Sequence, residues 1–254
     1  MEMKKIVYYI VCGLWLWAAS ACVEVDNYEA PAETITGKIV DKKNQKLMQT
    51  EVGDGGVRLK LLEMSWSDHP TPYYTTVKQD GTFQNTKLFK GNYIVEPLGA
   101  FVPLYLTASD GSVMKDERWK GDVRGTTQID FEVEPFLNVD WAGEPAVNAD
   151  GTISVRVRIT RGTGNEAYHK RLSDVYLFLN ASSPYVGDNN KDDRYSVRLE
   201  DATMDSCLGQ TVELTTPPLP GARLYYVRVG ARIDHEIDGR KRYNYNEPKE
   251  VAVP

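Results

Sequence analysis

Ile153-Ser154-Val155-Arg156-Val157-Arg158-Ile159 is the stretch that most clearly sets the fold class. Its apolar and polar residues alternate, which is typical of a β-strand with one face packed and the other in water. Residues 57–61, 129–133 and 175–179 follow a similar pattern. No segment of the sequence shows sustained helical periodicity with caps. The sequence therefore predicts an all-β protein.

Turn residues separate the predicted strands. They form the groups Asp54-Gly55-Gly56, Asp80-Gly81, Lys90-Gly91-Asn92, Asp110-Gly111 and Asp150-Gly151. Short strands at close intervals between such turns are typical of β-sandwiches. Pro135 follows the strand predicted to end at Val133, and proline cannot donate to a β-ladder. We therefore predict two consecutive β-sandwich domains, residues 35–134 and 135–254.

The N-terminus has the pattern of a bacterial lipoprotein signal. Lys4-Lys5, the apolar run 6–18 and the small residues 19–21 precede Cys22. This order is typical of a secretory signal, and the apolar run is too short to span a bilayer. A cysteine directly after the cut resembles the lipobox, in which the thiol is lipidated, although Ala19 replaces the usual leucine. We predict a signal peptide over residues 1–21, lipidation of Cys22 and a tether over residues 22–34. An ordinary signal peptide with a nearby cysteine is the alternative.

The tether carries acidic residues close to Cys22, namely Glu24, Asp26 and Glu29. They resemble the signal that sends many Bacteroidota-type lipoproteins to the outer face of the outer membrane. A charged linker is the alternative. The predicted location is the outer membrane, with a lipid anchor and the body exposed at the cell surface.

Composition limits the function classes further. The 254-residue chain has a formal net charge of −6, and its Lys and Arg are scattered, so no nucleic-acid surface is expected. Cys207 is the one cysteine left after the signal and the lipid site, which excludes an intramolecular disulfide in the mature chain.

Three motifs in the first predicted domain resemble a known sandwich. They are Thr36-Gly37-Lys38-Ile39-Val40-Asp41, Asp80-Gly81-Thr82-Phe83 and Gly91-Asn92-Tyr93. Together they resemble the transthyretin-like or carboxypeptidase-regulatory-like domain. Phe83 is expected to be the first inward residue after a tight turn. Gly91 is expected to permit a turn conformation that delivers Tyr93 into the core.

Longer stretches resemble one family of proteins. Residues 26–28, 49–51, 61–63, 80–89 and 91–93 look like those of an uncharacterised family of Bacteroidota lipoproteins. The resemblance implies this domain at the N-terminus. It also implies genes that often lie beside starch-utilisation-type outer-membrane glycan-uptake systems.

The second predicted domain resembles a fibronectin type III or immunoglobulin-like sandwich. The run 219–231 is similar to the penultimate strand of that family. The resemblance implies that the Tyr225 hydroxyl bonds to backbone at the sandwich corner, with Val227, Val229 and Ala231 facing inward.

Catalytic and metal-binding patterns are missing from the sequence. His69, His169 and His235 are far apart and belong to no metal-ligand motif. Cys207 has no flanking nucleophile signature. We predict no catalytic residue, no metal and no cofactor, and hence a protein that is not an enzyme.

The stretch Met64–Tyr74 is the candidate ligand-binding segment. It combines aromatic side chains with Asp68 and His69 on a loop stiffened by two prolines. Aromatic faces flanked by polar groups suit sugars, and a pre-ordered loop loses less entropy on binding. The predicted ligand-binding residues are Trp66, His69, Tyr73 and Tyr74. Packing of Trp66 and Tyr74 at the end of the sandwich is the alternative.

Two other features remain open to more than one interpretation. The polar run 183–193 offers oxygen ligands that Ca²⁺ prefers, but Lys191 opposes a cation and a solvated loop is favoured. Trp141 lies near the predicted junction and is interpreted as sealing it, with contact to a ligand as the less favoured alternative.

The sequence thus predicts a lipid-anchored, non-catalytic surface protein that binds glycan or supports a glycan-uptake system. Its expected partners are the membrane, through the N-terminal lipid, glycan, and starch-utilisation-type outer-membrane proteins. A scaffold or spacer that binds only proteins is the first alternative. A periplasm-facing lipoprotein for envelope maintenance is the second.

Overall fold

In a computed structural model, residues 29–254 are described, so the predicted signal peptide, Cys22 and most of the tether lie outside the described part. Strands account for nearly all of its regular structure. The strands are β1 (Glu33–Asp41), β2 (Arg58–Glu63), β3 (Tyr73–Thr76), β4 (Thr82–Leu88), β5 (Gly91–Leu98), β6 (Tyr105–Thr107), β7 (Val113–Asp116), β8 (Trp119–Val123), β9 (Thr126–Gln128), β10 (Phe131–Val133), β11 (Leu137–Trp141), β12 (Ala146–Val147), β13 (Ile153–Arg161), β14 (Leu172–Asn180), β15 (Val197–Leu199), β16 (Thr211–Thr215), β17 (Arg223–Ile233), β18 (Asn244–Tyr245) and β19 (Lys249–Val253). Two short 3-10 helices cover Glu166–Tyr168 and Met204–Cys207.

The predicted all-β class is confirmed, and the deciding stretch forms β13. Ile153, Val155, Val157 and Ile159 are buried on one face of this strand. The intervening side chains point the other way because successive side chains of a strand alternate between faces.

Two sheets enclose the first hydrophobic core. One has the order β10–β1–β4, with β9 also paired to β1, and the other has the order β3–β2–β5–β8. Ile35, Leu59, Phe83 and Val95 are among the buried residues of this core. Burial of their apolar surface is the main source of stability for such a two-layer arrangement.

Two further sheets enclose the second core. One runs β11–β13–β12 with β16 on β13, and the other runs β15–β14–β17–β18 with β19 on β17. Val155, Leu177, Val227 and Val229 lie between them. The expectation that Val227, Val229 and Ala231 face inward is therefore confirmed. Tyr225 also donates a hydrogen bond to the Pro220 carbonyl at 2.9 Å, as the fibronectin resemblance implied.

Strand β14 departs from simple alternation. Phe178 belongs to the face that was expected to meet water, yet it is fully buried. Val186, Tyr243 and Tyr245 cover it and form a third, smaller cluster. The local sequence could not indicate this cover because its residues come from distant parts of the chain.

The two main cores belong to one compact unit, Ala32–Pro254. Leu98, Ala100 and Val102 precede the predicted junction but pack into the second core. The division into domains at residue 134 therefore stays a prediction.

The two predicted turn glycines act differently. Gly81 has a φ of +82°, as a tight turn requires, and Phe83 is buried two residues later. Gly91 does not lie in the left-handed region, so the turn conformation expected there was wrong, whereas Tyr93 is buried in the first core as expected. A Cβ at Gly91 would approach the Ser65 hydroxyl to 2.5 Å, and close packing is the physical reason for glycine there.

Within residues 29–254, we find no helix with the length and apolar character needed to cross a membrane.

Candidate functional site

The predicted aromatic loop is exposed. It joins β2 to β3, and the side chains of Trp66, Tyr73 and Tyr74 are 63%, 51% and 38% exposed. His69 is also exposed, and its backbone N–H donates to the Ser67 hydroxyl at 3.0 Å. Large exposed aromatic side chains of this kind are available to a ligand.

The strand geometry separates two of these residues. Tyr73 pairs with Leu61 and Tyr74 with Lys60, so the tyrosines point to opposite faces of the sheet. The Tyr73 hydroxyl accepts a hydrogen bond from Asn85 at 3.3 Å. The Arg58 guanidinium lies over the Tyr74 ring, with its Cζ 4.6 Å from the ring centroid. The four predicted residues therefore do not form one binding platform.

Within the polar loop 183–193, the positive charge of Lys191 pairs with the loop's own carboxylates. The Lys191 ammonium lies 3.0 Å from an Asp188 oxygen and 3.5 Å from an Asp193 oxygen. Asp192 is paired with Arg194 at 2.7 Å. In the described part of the chain, no group of three or more His, Cys, Asp and Glu side chains could hold a metal ion.

Two of the three histidines, His169 and His235, are held by contacts within the protein. The His169 Nε2 lies 2.9 Å from the Thr163 carbonyl. His235 packs edge-on against Phe136 and Tyr168, and burial lowers its pKa. Cys207 is half-buried, and burial raises the pKa of its thiol, which disfavours the reactive thiolate.

A buried arginine links the two halves of the chain. Arg228 on β17 is 0% exposed, and its guanidinium donates to the Thr50 and Asn246 carbonyls, each at 2.8 Å, and to the Val186 carbonyl at 3.2 Å. The loss of hydration lowers the pKa of Arg228 to about 10. The same guanidinium lies over the Tyr245 ring, 4.3 Å from its centroid.

Glu51 and the polar loop complete this junction. The buried Glu51 carboxylate accepts a hydrogen bond from the Asn189 N–H at 3.0 Å. Burial raises the pKa of Glu51, and the hydrogen bond from Asn189 partly opposes that effect. The polar loop of the second half therefore contacts the first half and helps to hold the junction in one geometry.

A cavity of about 490 Å³, here called the first cavity, opens at this junction. Its walls come from residues 44–49, from the edge strand β11 and from residues 244–247. Cavities of this size between packed layers are typical of small-ligand sites.

Trp141, at the end of β11, lines the first cavity. The ring is half-buried against the second core, its Nε1–H donates to the Glu247 carbonyl at 2.9 Å, and the Lys249 ammonium lies 5.3 Å from the ring centroid. These contacts fix the ring in place. These contacts all lie in the second half of the chain, so the interpretation that Trp141 seals the junction stays a prediction, and the ring lines the first cavity.

Two polar atoms in residues that line the first cavity have no described hydrogen-bond partner. They are Asp41 Oδ2, an acceptor, and Asn246 Nδ2, a donor. Both residues are almost completely buried. An unpaired buried polar group is unfavourable, but these two atoms are themselves buried and are not exposed to the cavity. The half-buried Asn138 and the exposed Asp140 are the polar side chains of β11 that a ligand in the cavity can reach.

Sequence reasoning did not find the first cavity. Its walls come from three segments separated by about a hundred residues each, and no local pattern marks them. The one available signal was Trp141 beside the predicted junction.

Comparisons with known proteins support the family resemblance. Residues 33–134 match the N-terminal domain of DUF3823, a protein family of unknown function. No curated protein matches. The crystal structure of a DUF3823 family protein from Bacteroides uniformis ATCC 8492 has a TM-score of 0.82 and 35% identity, covering 88% of this chain and 100% of that one.

Two more distant structures share the fold. A "putative carbohydrate binding protein" from Bacteroides uniformis ATCC 8492 has a TM-score of 0.67 and 21% identity. The match covers 88% of this chain and 100% of that one. A DUF3823 family protein from Parabacteroides merdae ATCC 43184 has a TM-score of 0.64 and 20% identity, with the same coverage. Since the 35% identical relative is matched along its whole length, the chain belongs to the DUF3823 family.

Proposed function

We propose that the protein is a non-catalytic, lipid-anchored protein of the outer-membrane surface that binds glycan in the first cavity. The observation that carries this proposal is the position of Trp141 in a cavity that is also lined by Asn138 and Asp140, which carry an amide and a carboxylate group. Sugars combine an apolar C–H face with a rim of hydroxyls. An aromatic ring beside amide and carboxylate groups matches both parts of that surface.

Two further observations support the same function. A protein with the same fold is named a "putative carbohydrate binding protein". The lipobox-like segment that ends at Cys22 would tether the described body to a membrane, and lipid anchors hold proteins there by burying acyl chains. A role beside a starch-utilisation-type uptake system fits this location.

The site is tested with a glycan array on fragment 23–254, followed by calorimetry on each hit. Trp141→Ala should weaken binding by about tenfold or more, the loss expected when an aromatic anchor is truncated. Trp141→Phe should retain part of the affinity. Thermal unfolding of both variants shows whether the fold is intact.

The matched control is the double variant Trp66→Ala, Tyr73→Ala, which removes exposed aromatic side chains of the predicted loop. It should bind as the wild type does. If this variant loses binding and Trp141→Ala does not, the site lies on the loop. No binding to any host or plant polysaccharide would contradict the glycan proposal and favour a scaffold that contacts other proteins.

The proposed location is tested separately on intact cells. External protease should degrade the wild-type protein without lysis, and Cys22→Ala should release it from the membrane fraction. Protection from protease until the outer membrane is opened would instead indicate a periplasm-facing lipoprotein.

A further inference from the structure

A second cavity adjoins the first. Its volume is about 660 Å³. Leu47, Gln49 and Glu247 line both cavities, so the two are neighbours along one wall. The shared residues Leu47 and Glu247 are both exposed, so the two cavities adjoin at the protein surface.

The second cavity has its own aromatic side chain, Tyr185, which is 57% exposed. Hydrogen bonds hold the backbone on both sides of it. The Tyr185 N–H donates to the Ser183 hydroxyl at 3.1 Å, and the Tyr185 carbonyl accepts from Asn190 at 2.7 Å. The Pro184 carbonyl accepts from Gln79 at 3.1 Å. A ring on such an anchored loop loses little conformational entropy on binding.

Each of the two cavities thus has an aromatic side chain on its wall, Trp141 in the first and Tyr185 in the second.

The charges around the two cavities disfavour an anionic ligand. Asp41, Asp140 and Glu247 line the first cavity with Lys46 as the one cation, and the Lys46 ammonium lies 3.4 Å from an Asp140 oxygen. The second cavity is lined by two acidic residues, Asp80 and Glu247, and by one basic residue, Lys78. A uronate or sulfate group would meet this acidic surplus at short range, where like charges repel.

We propose that the two cavities form one groove that binds a neutral glycan chain, with Trp141 contacting one unit and Tyr185 contacting units farther along the chain. This inference rests on the proposed glycan function and adds the ligand class and a second specificity-determining residue.

The experiment uses the full-length chain purified in detergent and calorimetric titration. The probes are size series of cello-, xylo-, manno- and malto-oligosaccharides from disaccharide to octasaccharide, with oligogalacturonides as the acidic series. Affinity for one neutral series should rise with chain length and then level off. The acidic series should bind at least about tenfold more weakly, a difference of about 1.4 kcal/mol.

Tyr185→Ala should remove the gain with chain length and leave the affinity for the shortest binding oligosaccharide unchanged. The control is Phe89→Ala, which removes another exposed aromatic side chain outside both cavities and should retain the full length dependence.

Three results would overturn the inference while the glycan function stands. They are equal affinity for short and long chains, a length gain that survives Tyr185→Ala, and preference for the acidic series. Absence of binding to every probe, together with a negative glycan array, would contradict the proposed function itself.

Discussion

At the scale of single residues, Glu96 shows how burial changes the chemistry of a carboxyl group. It lies on β5 opposite Lys60 on β2 and is almost completely buried. Burial raises the pKa of Glu96 above its ordinary value of 4.5. Lys60 and Arg118 partly oppose this effect, while Asp116 and Asp238 add to it.

The raised pKa predicts a pH dependence of stability. Between 4.5 and the higher pKa, the folded state binds more protons than the unfolded state, so the free energy of unfolding falls as pH rises. Glu96→Gln mimics the protonated form. It should match the wild type below pH 4.5 and be more stable at higher pH, by a margin that grows with pH and levels off once the wild-type carboxyl is ionised.

Thermal unfolding at a series of pH values checks this expectation. Glu213→Gln, which removes an exposed carboxylate on β16, is the control and should follow the wild-type curve. If Glu96→Gln keeps the wild-type slope above pH 4.5, another group is responsible for it.

At the scale of elements, β1 depends on one glycine for its contact with the chain between β9 and β10. Ile129 donates its N–H to the Thr36 carbonyl at 2.8 Å, which brings its own carbonyl against Gly37. A Cβ at Gly37 would lie 1.8 Å from the Ile129 oxygen, far inside any real contact. The glycine of the Gly37–Asp41 motif is therefore explained by this backbone approach.

We predict that Gly37→Ala lowers the free energy of unfolding by about 3 kcal/mol, because the backbone must move to admit the methyl group. Gly111→Ala is the comparison. Gly111 has a φ of +85° but open space around it, so only backbone strain of about 1 kcal/mol is expected. Urea unfolding measures both, and equal losses would mean that the contact with Ile129 is not the cause.

At the scale of the whole molecule, Arg228 joins segments that are far apart in the chain. Its guanidinium bonds to Thr50 in the first half and to Val186 and Asn246 in the second. This arrangement fixes the walls of the first cavity, because Asn246 is one of its lining residues. Removing the guanidinium leaves three carbonyls in a buried site without their donor.

Arg228→Met should therefore cost about 3–5 kcal/mol of stability, the range for breaking a buried charged network. Arg223→Met on the same strand removes an exposed arginine and should change stability by less than about 0.5 kcal/mol. Chemical unfolding followed by fluorescence compares the two variants. A small loss for Arg228→Met would mean that the junction is held by its apolar contacts alone.

The sequence by itself determined the fold class and the inward faces of the main strands. Ile153–Ile159 and Val227–Ala231 could be assigned because the alternation of side chains is a property of the local backbone. The same rule bears on the predicted site, since neighbours such as Tyr73 and Tyr74 in one strand must point to opposite faces. The lipobox-like segment that ends at Cys22 is also a local pattern, and the cell-surface location that it indicates stays a prediction.

Only the tertiary structure decided which surfaces meet. The cover over Phe178, the burial of Arg228 and the first cavity beside Trp141 all depend on contacts between residues far apart in sequence. Such contacts are set by how the sheets and loops pack, and no local spacing encodes them. For this reason the sequence predicted a binding protein and a candidate aromatic loop, whereas the first cavity became visible only in the folded chain.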